Sequence, residues 1–182
     1  MIYYIKGKLV DVQEKVLVVE RAGIGYILAM SGLALNVLQS KLGQEVKLWV
    51  KQRVSDDEIV WYGFLDRAER EVFDRLVSVS GVGPKSALSI LGLGEIKKLT
   101  AAIDQGNVAY IYQASGIGKK TAQRILVELK GKLVDDDLID NDVEEAMKVL
   151  GYKRGEYEHL VAMLPIESTV EEKIGWLVRQ MG

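Results

Sequence analysis

The chain has 182 residues, 48% of them hydrophobic and 27% charged, with no cysteine, one histidine and a formal net charge of −2. That apolar fraction can bury a core, as one domain of ordinary size or two to three small ones. The missing cysteines exclude disulfides, thiolate nucleophiles, cysteine zinc sites and iron–sulfur clusters, and the lone His159 argues against a histidine metal site or a Ser-His-Asp triad.

The opening MIYYIKGKLV carries no signal-peptide pattern. No run approaches the roughly 20 apolar residues that span a bilayer, so a cytoplasmic protein with no membrane contact is expected. Strand patterns rich in Val, Ile, Leu and Tyr occupy Ile2–Val10, Lys15–Arg21 and Tyr26–Met30, with glycine punctuation at Gly23 and Gly25. Ser31–Leu42 reads as a short helix that Ser31 can cap. Strands resume at Glu45–Arg53 and Ile59–Gly63, joined through Ser55-Asp56-Asp57-Glu58. Three strands, a short helix and two strands is the element order of a five-stranded OB-type barrel.

From Asp66 the period changes. Phe73, Leu76 and Val77 are spaced as one helix face. Short amphipathic helices separated by glycine turns then run through SGVGPKSALSIL, GLGEIKKLTAAI, NVAYIYQA and SGIGKKTAQRILVELK. In Val134–Asp142, VDDDLIDND, six of nine residues are acidic or Asn, the composition of a linker. Three further helices are predicted at Val143–Leu150, Tyr157–Leu164 and Val170–Met181, broken at Gly151, Gly155 and Pro165. The expected organisation is therefore α+β and multidomain: a barrel at 1–63, a helical domain at 64–133, an acidic linker at 134–142 and a three-helix mini-domain at 143–182.

Charge follows the same divisions. Residues 1–63 carry a net +1, 64–133 a net +4 and 134–182 a net −7. A basic middle beside an acidic tail suits a protein whose helical domain meets a polyanion.

The helical domain also carries an internal repeat. Ser80–Leu91 and Ser115–Leu126 align with seven identities in twelve positions, 35 residues apart. Each copy holds Gly-(Val/Ile)-Gly at Gly81-Val82-Gly83 and Gly116-Ile117-Gly118. Two glycines around one apolar anchor allow a sharp turn with bare amides facing outward. The helix that follows adds its unpaired N–H groups and positive dipole end at the same point. Lys85 and Lys120 hold matching positions, Lys119 adds a cation where the first copy has Pro84, and Ser86 and Thr121 each supply a hydroxyl. Such a pair of turns grips nucleic-acid phosphates without reading base edges.

This duplicated G-(V/I)-G-x-K-(S/T)-A is the helix-hairpin-helix motif. With MIYYIKGKL at the start, GIGY at Gly23–Tyr26, YGF at Tyr62–Phe64 and LGYK at Leu150–Lys153, essentially the whole chain resembles the RuvA family. The resemblance implies an OB-fold barrel, a tandem helix-hairpin-helix domain and a three-helix tail. It implies a non-catalytic subunit of a branch-migration complex that binds four-way (Holliday) junction DNA as a homotetramer, alone or paired as an octamer. It further implies a hexameric RuvB-like ATPase as motor, a RuvC-like resolvase in the same complex, and no cofactor or metal.

By the same resemblance, Asp56 and Asp57 match an acidic pin that would repel phosphates at the crossover. On residues alone the same segment is also a solvated hairpin tip. The tail would bind the motor, with Met147, Leu150, Tyr152, Ile174, Leu177 and Val178 as candidate contacts. His159 receives no role. An ATPase reading fails because G-x-x-x-x-G-K-[ST] is absent from the sequence. The rivals are a helix-hairpin-helix glycosylase or nuclease, and an adaptor that binds plain duplex.

Overall fold

Alternation of inward and outward side chains along five strands decides the N-terminal architecture. In β1 (Tyr4–Val12) Ile5 and Leu9 point inward, in β2 (Val16–Arg21) Leu17 and Val19, and in β3 (Ile24–Ala29) Leu28. β4 (Glu45–Val54) contributes Val46, Leu48 and Val50, whereas β5 (Ile59–Phe64) sets Trp61 and Gly63 toward the barrel core and turns Tyr62 and Phe64 outward, into the core of the helices that follow. This period of two puts one apolar face on each strand, and closing the sheet buries all five faces together. The barrel runs β1-β2-β3-β5-β4. Every pairing is antiparallel except β3 with β5, where Ala29 lies opposite Tyr62. A register shift between Leu9 and Asp11 bends β1 so that it can pair with both β2 and β4.

The computed structural model describes residues 2–54, 58–133, 141–161, 164 and 168–181. It divides into two units, Met1–Leu133 and Val134–Gly182. Between β3 and β4, α1 (Gly32–Gln39) is capped by Ser31, whose Oγ accepts from the Ala34 amide. The helix is shorter than its sequence pattern, because the chain leaves it at Ser40 and turns through residues 41–43 before β4.

After the barrel come α2 (Arg67–Ser78), α3 (Pro84–Leu91), α4 (Ile96–Asp104), α5 (Val108–Ile111) and α6 (Lys119–Leu129). Val72, Phe73 and Leu76 of α2 are buried. The Phe73 ring sits 5.1 Å from Tyr62 and 5.0 Å from Phe64, which ties the helices to the last strand. Truncating such a buried aromatic costs about 3–5 kcal/mol. The core then continues through Leu91, Leu99, Ile103, Ile111, Ile125 and Leu129.

The second unit holds α7 (Asn141–Val149), α8 (Arg154–Val161) and α9 (Val170–Met181) around Val143, Met147, Tyr157, Leu164 and Leu177. Gly151, at φ +90°, ends α7. Gly155 does not break a helix. It lies in the first turn of α8, where the Lys153 amide reaches the Glu156 carboxylate at 2.7 Å. Thr169 and Glu172 form a reciprocal capping box at the start of α9. No helix among the described residues is long and apolar enough to cross a membrane.

Candidate nucleic-acid interface

The two glycine turns are built alike. Val82 N–H donates to Val79 O at 3.0 Å, and Ile117 N–H donates to Ala114 O at 3.2 Å. The first glycine of each turn is left-handed, Gly81 at φ +89° and Gly116 at φ +79°. L side chains strain there. The central Val82 and Ile117 are buried in the helical core, while the glycines on both sides are exposed. Gly83 and Gly118 are the N-caps of α3 and α6, and neither helix has a side-chain cap. The first-turn amides are therefore left for water or for an anion. Lys85, Lys119 and Lys120 are exposed beside them and form no ion pair among the described residues.

The turns are also joined to one another, each through residues of the opposite copy. Ser86 Oγ donates to Gly116 O at 3.5 Å, and a Cβ on Gly116 would lie 2.9 Å from the Ser86 Oγ. In the matching place, a Cβ on Gly81 would meet Thr121 Oγ1 at 3.8 Å. Ser115 N–H donates to Ser89 Oγ at 2.7 Å, and Arg124 Nη1 donates to Ser80 O at 3.0 Å. Ser89 and Arg124 align with each other in the repeat, as do Ser80 and Ser115. Position ten of each copy thus holds position one of the other, the reciprocity that an approximate two-fold axis produces. The hydroxyls of Ser86 and Thr121, expected to face an anion, lie against the opposite turn and are half-buried.

A buried carboxylate fixes this helical domain to the barrel. Glu69, only 7% exposed, accepts from Ser31 Oγ at 3.2 Å and from the Leu65 amide at 2.8 Å. Its own amide donates to Asp66 Oδ1, which caps α2. Burial raises the Glu69 pKa above the ordinary carboxylate range, partly offset by the Leu65 amide, with Asp66 adding a further upward push and Ser31 a downward one. A second tie pairs Lys51 of β4 with Asp74 of α2 at 2.9 Å, and Arg70 Nε donates to Val50 O at 3.1 Å. Asp56 and Asp57 lie outside the described residues.

Comparison with known proteins agrees with this layout. Residues 1–63 match the RuvA N terminal domain, and residues 73–132 match the SAM-like helix-hairpin-helix tandem. A Holliday junction branch migration complex subunit RuvA from Clostridium beijerinckii is 37% identical, with 96% of each chain covered. The same-named subunit of Bdellovibrio bacteriovorus is 34% identical over 96% of this chain and 94% of its own length. That of Clostridium botulinum strain Hall is 42% identical over 82% of this chain and 79% of its own. The chain belongs to the RuvA family. RuvA relatives carry in their name the branch-migration complex of which they are a subunit.

In the tail, the structure redraws the candidate motor surface. Met147 and Leu177 are completely buried in the core of the second unit, so their side chains hold the helices together and present nothing to a partner. Tyr152, Ile174 and Val178 are partly buried against the same cluster. Leu150 is 54% exposed, and its neighbour Val149, which the periodicity does not single out, is 81% exposed. Glu144, Glu145 and Lys148 line a shallow cavity with Val149. Ser89 and Arg124 likewise escape sequence reasoning, because the two copies differ at that position. Their signal is the alignment column itself, in which both residues can hydrogen-bond.

Proposed function

We propose that the protein is the DNA-binding, non-catalytic subunit of a branch-migration complex: it holds a four-way junction and recruits an ATP-driven RuvB-type motor. The observation that carries this reading is the pair of uncapped helix starts behind left-handed glycines, with Lys85 beside one and Lys119 and Lys120 beside the other, none in an ion pair among the described residues, and the two starts related by reciprocal contacts. Amides of Gly81-Val82-Gly83 and Gly116-Ile117-Gly118 donate to phosphate oxygens, while Lys85, Lys119 and Lys120 supply charge. Antiparallel strands of a duplex present phosphates related by a two-fold axis, which two turns of the same symmetry fit together. Ser86 and Thr121 support the turns from behind.

Junction geometry then requires several such pairs around one crossover, supplied by a homotetramer or by two tetramers paired as an octamer. Asp56 and Asp57 act there by repulsion, since carboxylates close to phosphates keep strands apart. No step of hydrolysis is assigned to the chain, which lacks a P-loop sequence. Residues 143–182 dock the motor through Val149, Leu150 and Tyr152, and a RuvC-type resolvase joins the same cytoplasmic assembly. Strand exchange by purified RuvB hexamer on a synthetic four-way junction tests the recruiting role. The full chain should accelerate ATP-dependent exchange, and Leu150→Asp should abolish that acceleration while leaving junction binding intact. Equal exchange rates with and without the chain would contradict it.

A further inference from the structure

We propose that Ser89 and Arg124 are positioning residues that lock the two phosphate-binding turns at one separation and orientation, so that both engage a single duplex arm at once. The inference rests on the phosphate-binding reading of the turns and adds to it a pair of residues that need never touch DNA. Ser80 and Ser115 each immediately precede a left-handed glycine, the point at which each turn starts. Arg124 holds the Ser80 carbonyl from α6, and Ser89 of α3 accepts the Ser115 amide. The two bonds, 3.0 and 2.7 Å, cross from each copy to the other.

Apolar packing alone is non-directional. The buried anchors Val82 and Ile117 therefore keep the turns in the core without fixing their rotation. A directional bond to the residue before each glycine supplies that constraint. Preorganisation of this kind matters most for a bidentate ligand, because the second phosphate contact becomes intramolecular only when the spacing is already correct. The chemistry at the two positions differs, a hydroxyl acceptor in one copy and a guanidinium donor in the other, yet both hold the same point of the opposite turn. A role limited to charge would be met by Arg124 alone and would leave Ser89 without a part.

The test uses the full chain and a fluorescently labelled four-way junction, with affinity measured by anisotropy from 50 to 200 mM salt. Ser89→Ala removes no charge. If the turns lose registry, it should weaken binding several-fold and lower the log–log salt slope by about 0.9 or more, the share of one released phosphate contact, while the thermal midpoint stays near that of the parent. Arg124→Gln, at an exposed site where folding is not at risk, should lower the slope by at least as much as Ser89→Ala, because both release the same contact through lost registry. A slope that falls for Arg124→Gln while Ser89→Ala keeps unchanged slope and affinity is the mark of a direct charge contact and overturns the proposal, as does an Arg124→Gln protein with unchanged slope. Failure of the parent chain to bind the junction would instead overturn the phosphate-binding reading itself.

Discussion

Replacing Gly116 by alanine tests the turn geometry more sharply than any lysine substitution. At φ +79° an L side chain is strained by about 1–2 kcal/mol. The unfolded chain loses freedom with the same change, which returns about 0.4–1 kcal/mol. The new Cβ would also stand 2.9 Å from Ser86 Oγ, forcing that hydroxyl to rotate away from Gly116 O. A net destabilisation of about 1–2 kcal/mol follows, which in a unit of this size lowers the thermal midpoint by roughly 3–8 °C.

Gly81→Ala shares the strain, at φ +89°, but its Cβ meets nothing nearer than 3.8 Å. It should therefore be the milder of the two. Gly83, with φ −85° and open space around it, serves as control and should lose only about half a kcal/mol as an N-cap. Calorimetry on the three single variants and on Gly116→Ala with Ser86→Ala separates the contributions. The second substitution should recover the part due to the hydroxyl and leave the strain. If Gly116→Ala is no less stable than Gly83→Ala, the assignment of a strained turn is wrong.

Three further outcomes are expected. Lys119→Ala with Lys120→Ala should weaken binding to junction and duplex alike, and lower the log–log salt slope by about 0.9 for each phosphate no longer neutralised; an unchanged slope would remove both lysines from the interface. Because burial raises the Glu69 pKa, its contribution to stability is complete below the ordinary carboxylate value and declines as pH rises through the folded-state value. The midpoint of the parent minus that of Glu69→Gln should therefore fall with rising pH, whereas parallel curves from about pH 4 to 8, a range spanning the ordinary carboxylate value, would deny the shift. Val149→Asp should leave the circular dichroism of the protein unchanged, while Met147→Ala, at a fully buried site, should melt the tail at a cost of about 2–5 kcal/mol. Equal stability of those two variants would mean that the tail core is misassigned.

Much of this architecture is legible in single residues and their spacing. Alternation at Val46, Leu48 and Val50 marks a half-buried strand wherever it occurs, and Ser31 sits where a helix cap belongs. The duplicated glycine turns declare themselves by alignment, without reference to three-dimensional contacts. What the spacing leaves hidden depends on elements distant in the chain. Glu69 reads as a surface helix residue until Ser31, 38 residues earlier, and the Leu65 amide surround it. Met147 and Leu177 carry the same hydrophobic signal whether they face a partner or a core, and only the packing of α7 and α9 decides it. Gly155 reads as a breaker, yet the first turn of a helix tolerates glycine because its amides are unpaired there in any case. The crossed bonds at Ser89 and Arg124 fall where the copies differ, so identity scoring passes over them.

In the proposed function, paired backbone-binding turns let the protein read four-way geometry. A competition gel shift in magnesium-free buffer at fixed salt decides this, with labelled four-way junction challenged by linear duplex of the same sequences. The junction complex should survive a large excess of duplex. Equal competition by duplex would reduce the paired turns to a general backbone clamp and contradict the junction-binding role.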